Sequence, residues 1–267
     1  MSKIPTALTI AGSDSGGGAG IQADIKTFQE LGVFGTSAIT ALTAQNSLGV
    51  HGVYPQTLEC IDEQIDAVLS DIGAGAVKTG MLFSADIIRL VARKLRQYEV
   101  RNLVVDPVMY AKGGSALLQK EAMQALKQDL LPLAYVITPN IPEACELIGK
   151  QQIVHEADIR DALHRLHALG PAYVLLKGGH LSGQESIDYL FDGESVHSFS
   201  APRFDTLHTH GTGCTLSAAI AAQLAKGQTI EAAIQTAKDY ISAAIAHAIP
   251  LGSGIGSTDH GAYRRMR

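Results

Sequence analysis

Six short apolar runs recur along the chain, each followed by a longer segment of helical period, and this alternation constrains the fold most strongly. The runs are ALTIAG (7–12), TSAITAL (36–42), AVKTG (76–80), NLVVDP (102–107), YVITPN (135–140) and YVLLKG (173–178). Strands that are apolar throughout are covered on both faces, and helices between them make a mainly parallel sheet. The expectation is an α/β fold, a three-layer α/β/α sandwich. One intervening helix runs from about Gly18 to Leu31, and another carries Ile61, Ile65, Val68, Leu69 and Ile72 on one face. Past Lys177 the texture changes. SIDYLFD and SVHSFSAP, joined by Gly193-Glu194, predict an antiparallel hairpin at one edge of the sheet. Two helices, 213–226 and roughly Ile230 to Ala248, then close the fold, and the tail reads as loop. Without a Pro/Ser-rich linker or an internal repeat, residues 1–267 read as a single domain.

Composition removes several function classes. A net charge of −5 with no long basic run argues against nucleic acid as partner. No stretch is long and apolar enough to span a membrane, and MSKIPTALTIAGSD lacks the pattern of a signal peptide. Cys60, Cys145 and Cys214 are widely spaced, and the ten histidines form no HExxH pair. The reading is a reduced, cytoplasmic protein with neither a disulfide framework nor a zinc site.

The residues that follow the strands are of one kind. Gly12-Ser13-Asp14 follows the first, Ala44-Gln45-Asn46 the second and Gly80-Met81 the third. Asp106-Pro107-Val108-Met109, Asn140-Ile141-Pro142-Glu143 and Gly178-Gly179 follow the others, with Lys177 closing the last. Ligands of open parallel sheets bind outside the carboxyl ends of the strands, so these loops predict one shared site.

Two glycine-rich segments add to it. Gly18-Ala19-Gly20-Ile21-Gln22-Ala23 matches the dinucleotide pattern in form, but the next strand region, SAITALTAQN, has no acidic residue to hold a ribose, and none follows it before Glu59. A P-loop would need GKS or GKT, which the chain lacks. HGTGCT (210–215) reads better as a phosphate site, because Gly211 and Gly213 free the backbone to aim N–H groups ahead of a helix. Lys177 would neutralise nucleotide phosphates, and Asp106 and Glu143 would hold Mg²⁺. The plain alternatives are a surface lysine, a turn cap and a helix-N-terminal glutamate. Cys214, at the first turn of the helix, is expected to have a lowered pKa and to act as general base.

Taken together, AGSDSGGGAGIQADIKTF, TALTAQNSLGV, KTGML, VDPVM, TPNIPEA, LLKGGH and HGTGCTLSAAIAA resemble the hydroxymethylpyrimidine/phosphomethylpyrimidine kinases of thiamine biosynthesis. The resemblance runs from about Ala7 to Ala248. It implies a ribokinase-like fold and an ATP- and Mg²⁺-dependent kinase. Such an enzyme phosphorylates 4-amino-5-hydroxymethyl-2-methylpyrimidine, then its monophosphate. Carried onto matching positions, it implies that Gln45 reads the pyrimidine edge and that Asp24, Met81, Gly12 and Val108 line that pocket. Lys177, Asn140 and Thr212 are assigned to ATP, and Asn140 and Glu143 form the NxxE metal motif. Gly211 to Cys214 form the anion hole, with Cys214 where sugar-kinase relatives place an aspartate. A homodimer is also implied. His208-Thr209 departs from the expected Asn-Thr, and Tyr110 and Gly114 depart in the flap VMYAKGGSALL. The nearest rival is a pyridoxal or pyridoxine kinase of the same superfamily. From another class, a regulatory or oxidoreductase domain would bind nucleotide without phosphoryl transfer.

Overall fold

The computed structural model describes residues 4–266 except 112, 115, 120 and 181–183. Strand β1 (Thr6–Asp14) leads into helix α1 (Gly20–Glu30), β2 (Phe34–Asn46) and β3 (Gly49–Pro55). Helix α2 (Leu58–Ala67) runs on as a π-helical turn, Val68–Ile72, before β4 (Ala76–Thr79), α3 (Ala85–Gln97) and β5 (Leu103–Val105). Next come α4 (Ala122–Ala125), β6 (Val136–Ile137), α5 (Ile141–Ile148), α6 (Glu156–His167) and β7 (Tyr173–Lys177). The chain ends with β8 (Glu185–Phe191), β9 (Val196–Pro202), α7 (Thr212–Ala225), α8 (Ile230–Ala246) and α9 (Ala262–Arg265).

The strands form one sheet in the order β3-β2-β1-β4-β5-β6-β7-β8-β9. From β2 to β7 every pairing is parallel. The hairpin β8–β9 forms the predicted antiparallel edge. A second antiparallel edge was not expected: β3 returns along β2, pairing Tyr54 with Leu42 and Val50 with Gln45. Its sequence, GVHGVYP, carries two glycines and no buried residue, so no alternating pattern marks it.

Successive strand residues point to opposite faces, and the core divides accordingly. Leu8, Val77, Leu103, Val105, Ile137 and Leu176 join the cluster under α2 to α6. Ala7, Ala76, Val104, Val136 and Leu175 join the cluster under α1, α7 and α8. On that second face Ala218, Ala219, Ala221 and Ala222 are fully buried. A helix with such short side chains lies close to the sheet, which brings its first turn down onto the strand ends. Among the described residues no helix is long and apolar enough to cross a membrane.

The chain order reverses direction around β1, with β2 on one side and β4 on the other. Such a switch point leaves a crevice at the carboxyl ends of the strands. The tail is more ordered than its sequence implied. The Ile249 N–H donates to Ser257 O at 2.8 Å and the Ile255 N–H to Ser47 O at 2.8 Å, so this segment ties the β2–β3 loop to the end of α8.

Candidate active site

A cavity of about 620 Å³ opens across the strand ends, from β2 on one side to β9 and α8 on the other. The β2 end is walled by Gly12, Gln45, Met81 and Val108. These are four of the five residues assigned above to the pyrimidine. The Gln45 amide reaches 3.3 Å from His210 Nε2 and 3.2 Å from Thr43 Oγ1. At Gly12 a Cβ would meet Met81 Cε at 2.4 Å, so the methionine closes directly onto bare backbone.

The fifth residue, Asp24, lies elsewhere. It is fully buried on α1, with Lys78 Nζ at 2.8 and 2.9 Å and the Thr9 hydroxyl donating to it at 2.6 Å. It therefore stands behind the cavity wall, and its partner Lys78 is the residue that reaches the cavity. A carboxylate in an apolar interior needs a counter-charge, and this one faces it. Burial, the largest single effect, would lower the Lys78 ammonium, but the charges of Asp24, Cys214 and Asp106 and the Asp24 hydrogen bond together outweigh it and hold Lys78 above its ordinary range.

In the middle of the cavity, Gly211 adopts φ +82° and a Cβ there would fall 1.7 Å from Gly18 O, so only glycine fits. The Thr212 N–H and hydroxyl both turn back to Thr209 O, at 3.3 and 2.7 Å. The first bond of the α7 ladder is Thr215 N–H to Gly211 O at 2.9 Å. The N–H groups of Gly213 and Cys214 thus precede the ladder at the positive end of the helix. Such a pair of N–H groups can receive an anion, and Thr212 braces the turn that carries them.

Asp106 and Lys177 sit under this turn. Lys177 Nζ is 3.1 Å from Asp106 Oδ1, and a Cβ on Gly213 would lie 3.4 Å from that same Nζ. Thr138 donates to Asp106 Oδ1 at 3.2 Å. Burial opposes ionisation of Asp106, yet Lys177 and Lys78 hold its carboxyl below the ordinary range. Glu143 and Asn140 make a capping box at the start of α5, with N–H to side-chain oxygen distances of 2.8 and 2.9 Å. The plain reading of Glu143 as a helix-terminal residue thus holds, and it also lines the cavity beside Asn140. Burial, then the repulsion of Asp106 against the pull of Lys177, pushes Glu143 up to about 7. Among the described residues no three metal-ligating side chains converge. Two repelling carboxylates suit Mg²⁺ all the same, because it takes few protein ligands and completes its shell with phosphate and water.

Cys214 departs from expectation. The helix terminus, Lys78 and a backbone bond from Gly20 favour a thiolate, but burial and the charges of Asp24 and Asp106 oppose it, and burial is the largest effect. The thiol is pushed up to about 11 and is protonated at neutral pH. A second feature escaped the sequence reading: Asp14 Oδ2 and His210 Nε2 pair at 2.8 Å at the cavity edge. Lys78 had a legible signal, a lysine inside a strand apolar on both faces. His210 had none beyond preceding Gly211. In the flap, Tyr110 donates to Glu146 at 3.1 Å, and positions 112 and 115 lie outside the described residues.

Comparison with known proteins shows the family. The family model described as phosphomethylpyrimidine kinase matches residues 14–259. A hydroxymethylpyrimidine/phosphomethylpyrimidine kinase of Bacillus subtilis is 53% identical over 264 residues, 98% of this chain and 97% of that one. One from Haemophilus influenzae is 53% identical over 270 residues, with both chains fully covered. A crystal structure of an ADP complex of Bacillus subtilis pyridoxal kinase superposes with a TM-score of 0.92 at 44% identity, covering 98% of this chain and 99% of that one. The ribokinase-like fold and the kinase class follow. With a family match over most of its length and relatives more than half identical to it, the chain belongs to the phosphomethylpyrimidine kinase family.

Proposed function

We propose that this protein transfers the γ-phosphoryl group of ATP to the hydroxymethyl oxygen of 4-amino-5-hydroxymethyl-2-methylpyrimidine, and then phosphorylates the monophosphate to the pyrophosphate. The observation that carries the reading is one cavity holding an amide at one end and a helix-terminal anion hole in the middle. Gln45 offers a donor and an acceptor, as an aminopyrimidine edge requires. The N–H groups of Gly213 and Cys214 point where charge develops on the phosphoryl oxygens. Lys177, already beside Asp106, turns to the nucleotide phosphates, and Asn140 and Thr212 shape the wall next to them. Beyond them the cavity is lined by Pro202, Phe204, Ile241 and Ile245, an apolar slot for a nucleobase.

A loose phosphoryl-transfer transition state asks the protein for positioning and electrostatics above all. The alcohol becomes acidic only as its new bond to phosphorus forms, so its proton leaves late. Cys214 lies at that point, and its sulfur accepts the proton in the small thiolate population that Lys78 and the helix terminus sustain. Asp106 and Glu143 would hold Mg²⁺, which when bound neutralises charge on the transferring group. The reading also carries a homodimer, a cytoplasmic setting and a single domain. Phosphorylation of pyridoxal is the second reading, favoured by the likeness to a pyridoxal kinase.

Gln45→Ala tests the pyrimidine assignment. Loss of a paired donor and acceptor costs about 1–3 kcal/mol of binding. KM for the pyrimidine alcohol should rise at least severalfold while KM for ATP stays put. An unchanged pyrimidine KM would remove Gln45 from the pocket.

A further inference from the structure

Asp14, His210, Gln45 and Thr43 form a hydrogen-bonded chain at the pyrimidine end of the cavity, and its proton count favours one arrangement. Asp14 Oδ1 accepts from the Gly16 N–H at 2.8 Å, and Oδ2 accepts from Gly18 and Ala19 at 3.1 and 2.9 Å. A carboxylate so surrounded by donors only accepts. His210 Nε2, 2.8 Å from Oδ2, therefore carries a proton whatever the charge of the ring. Burial opposes the Asp14 anion, but His210 and these N–H groups hold it below the usual carboxylate range.

The same Nε2 lies 3.3 Å from one amide atom of Gln45, and Thr43 Oγ1 lies 3.2 Å from the other. With the Gln45 nitrogen against His210, two donors would confront each other. With its oxygen against Thr43, one hydroxyl proton would serve both Gln45 and the Ser13 carbonyl, which lies 2.9 Å away. Exchanging the amide oxygen and nitrogen, which are alike in shape, replaces the donor–donor clash by a sharing of the His210 proton and leaves the Thr43 proton to Ser13. The His210 Nε2 proton, directed mainly at Asp14 Oδ2 at 2.8 Å, is then shared with the Gln45 carbonyl at 3.3 Å. The Gln45 NH₂ donates to Thr43, whose own proton goes to Ser13.

We propose that the Asp14–His210 pair and Thr43 lock the Gln45 amide in this orientation, making His210 and Thr43 positioning residues that set the choice of acceptor ring. The lock presents the carbonyl on the His210 side and a remaining N–H on the Thr43 side. An amino group next to a ring nitrogen offers a donor and an acceptor in the matching order. A pyridine ring with a hydroxyl and a C–H on that edge does not. The specificity role rests on the pyrimidine reading above, whereas the amide orientation does not.

The test uses the full-length protein. In a ¹⁵N-edited NOE spectrum, the Gln45 side-chain amide, assigned by its loss in Gln45→Ala, should show cross-peaks to the Thr43 methyl. Cross-peaks to the His210 ring protons instead would overturn the orientation. Thr43→Val, remote from the anion-hole turn, should raise KM for the pyrimidine alcohol about tenfold and cut its preference over pyridoxine by a similar factor. KM for ATP should not move, and Thr43→Ser should restore the wild-type preference. Thr43→Val with an unaltered preference, in a protein where Gln45→Ala does impair the pyrimidine, would overturn the specificity role alone. Unchanged pyrimidine KM in Gln45→Ala would remove the pyrimidine reading and the specificity role together.

Discussion

Cys214 has the placement of a catalytic group and the acidity of a buried one. Its thiol stands at about 11, so roughly one molecule in 3,000 carries the thiolate at pH 7.5. Iodoacetamide should therefore label Cys214 slowly at pH 7.5, with a rate rising about tenfold per pH unit until it levels near pH 11. A plateau reached below pH 8 would contradict this. Cys214→Ala should lower kcat by about 10²–10⁴-fold with little change in KM for ATP, because the anion hole is backbone. Lys78 behaves differently. Lys78→Met leaves the Asp24 carboxylate buried and unpaired, which should destabilise the fold by about 3–5 kcal/mol in urea unfolding. Adding Asp24→Leu should recover most of that loss. A single mutant as stable as wild type would mean that Asp24 finds another partner.

At the scale of elements, the tail and α7 are joined through a buried imidazole. Thr215, in the first turn of α7, lies 3.1 Å from His260 Nε2, and the Tyr240 hydroxyl donates to His260 O at 2.6 Å. Burial, helped by the charge of Lys26, pushes His260 down to about 4. An unfolded histidine titrates near 6.5, so between those values the unfolded chain binds a proton that the folded one refuses. Stability from this group is complete above about pH 6.5 and is lost as pH falls, by about 3 kcal/mol in all. The urea midpoint of wild type should drop from pH 7 to pH 4.5, and His260→Gln, which does not titrate and can still pair with Thr215, should drop less. Equal slopes would contradict the assignment. This joint was illegible in the sequence, since STDHGAYRRMR has neither helical nor strand period. The alternating core strands were legible because burial on both faces writes continuous apolar runs. The exposed edge strand β3 writes nothing comparable. Asp24 was misplaced for a related reason: its spacing marks a helix near the site, but only the lysine 54 residues later shows which way it turns.

Across the whole molecule, a sheet with a switch point at β1 collects its strand ends and the first turns of α1, α5 and α7 around one cavity. The strand-end residues were legible as a group because polar and glycine residues follow apolar runs only where the chain turns. What such a list leaves open is direction and charge state, as Asp24 and Cys214 illustrate. The central claim is that this cavity phosphorylates an aminopyrimidine alcohol twice. The direct measurement is mass spectrometry of products formed from ATP, Mg²⁺ and 4-amino-5-hydroxymethyl-2-methylpyrimidine, with pyridoxal in a parallel reaction. The account predicts the pyrimidine monophosphate first, then the pyrophosphate at its expense, and faster turnover of the pyrimidine than of pyridoxal. Pyridoxal phosphate with no phosphorylated pyrimidine would contradict it.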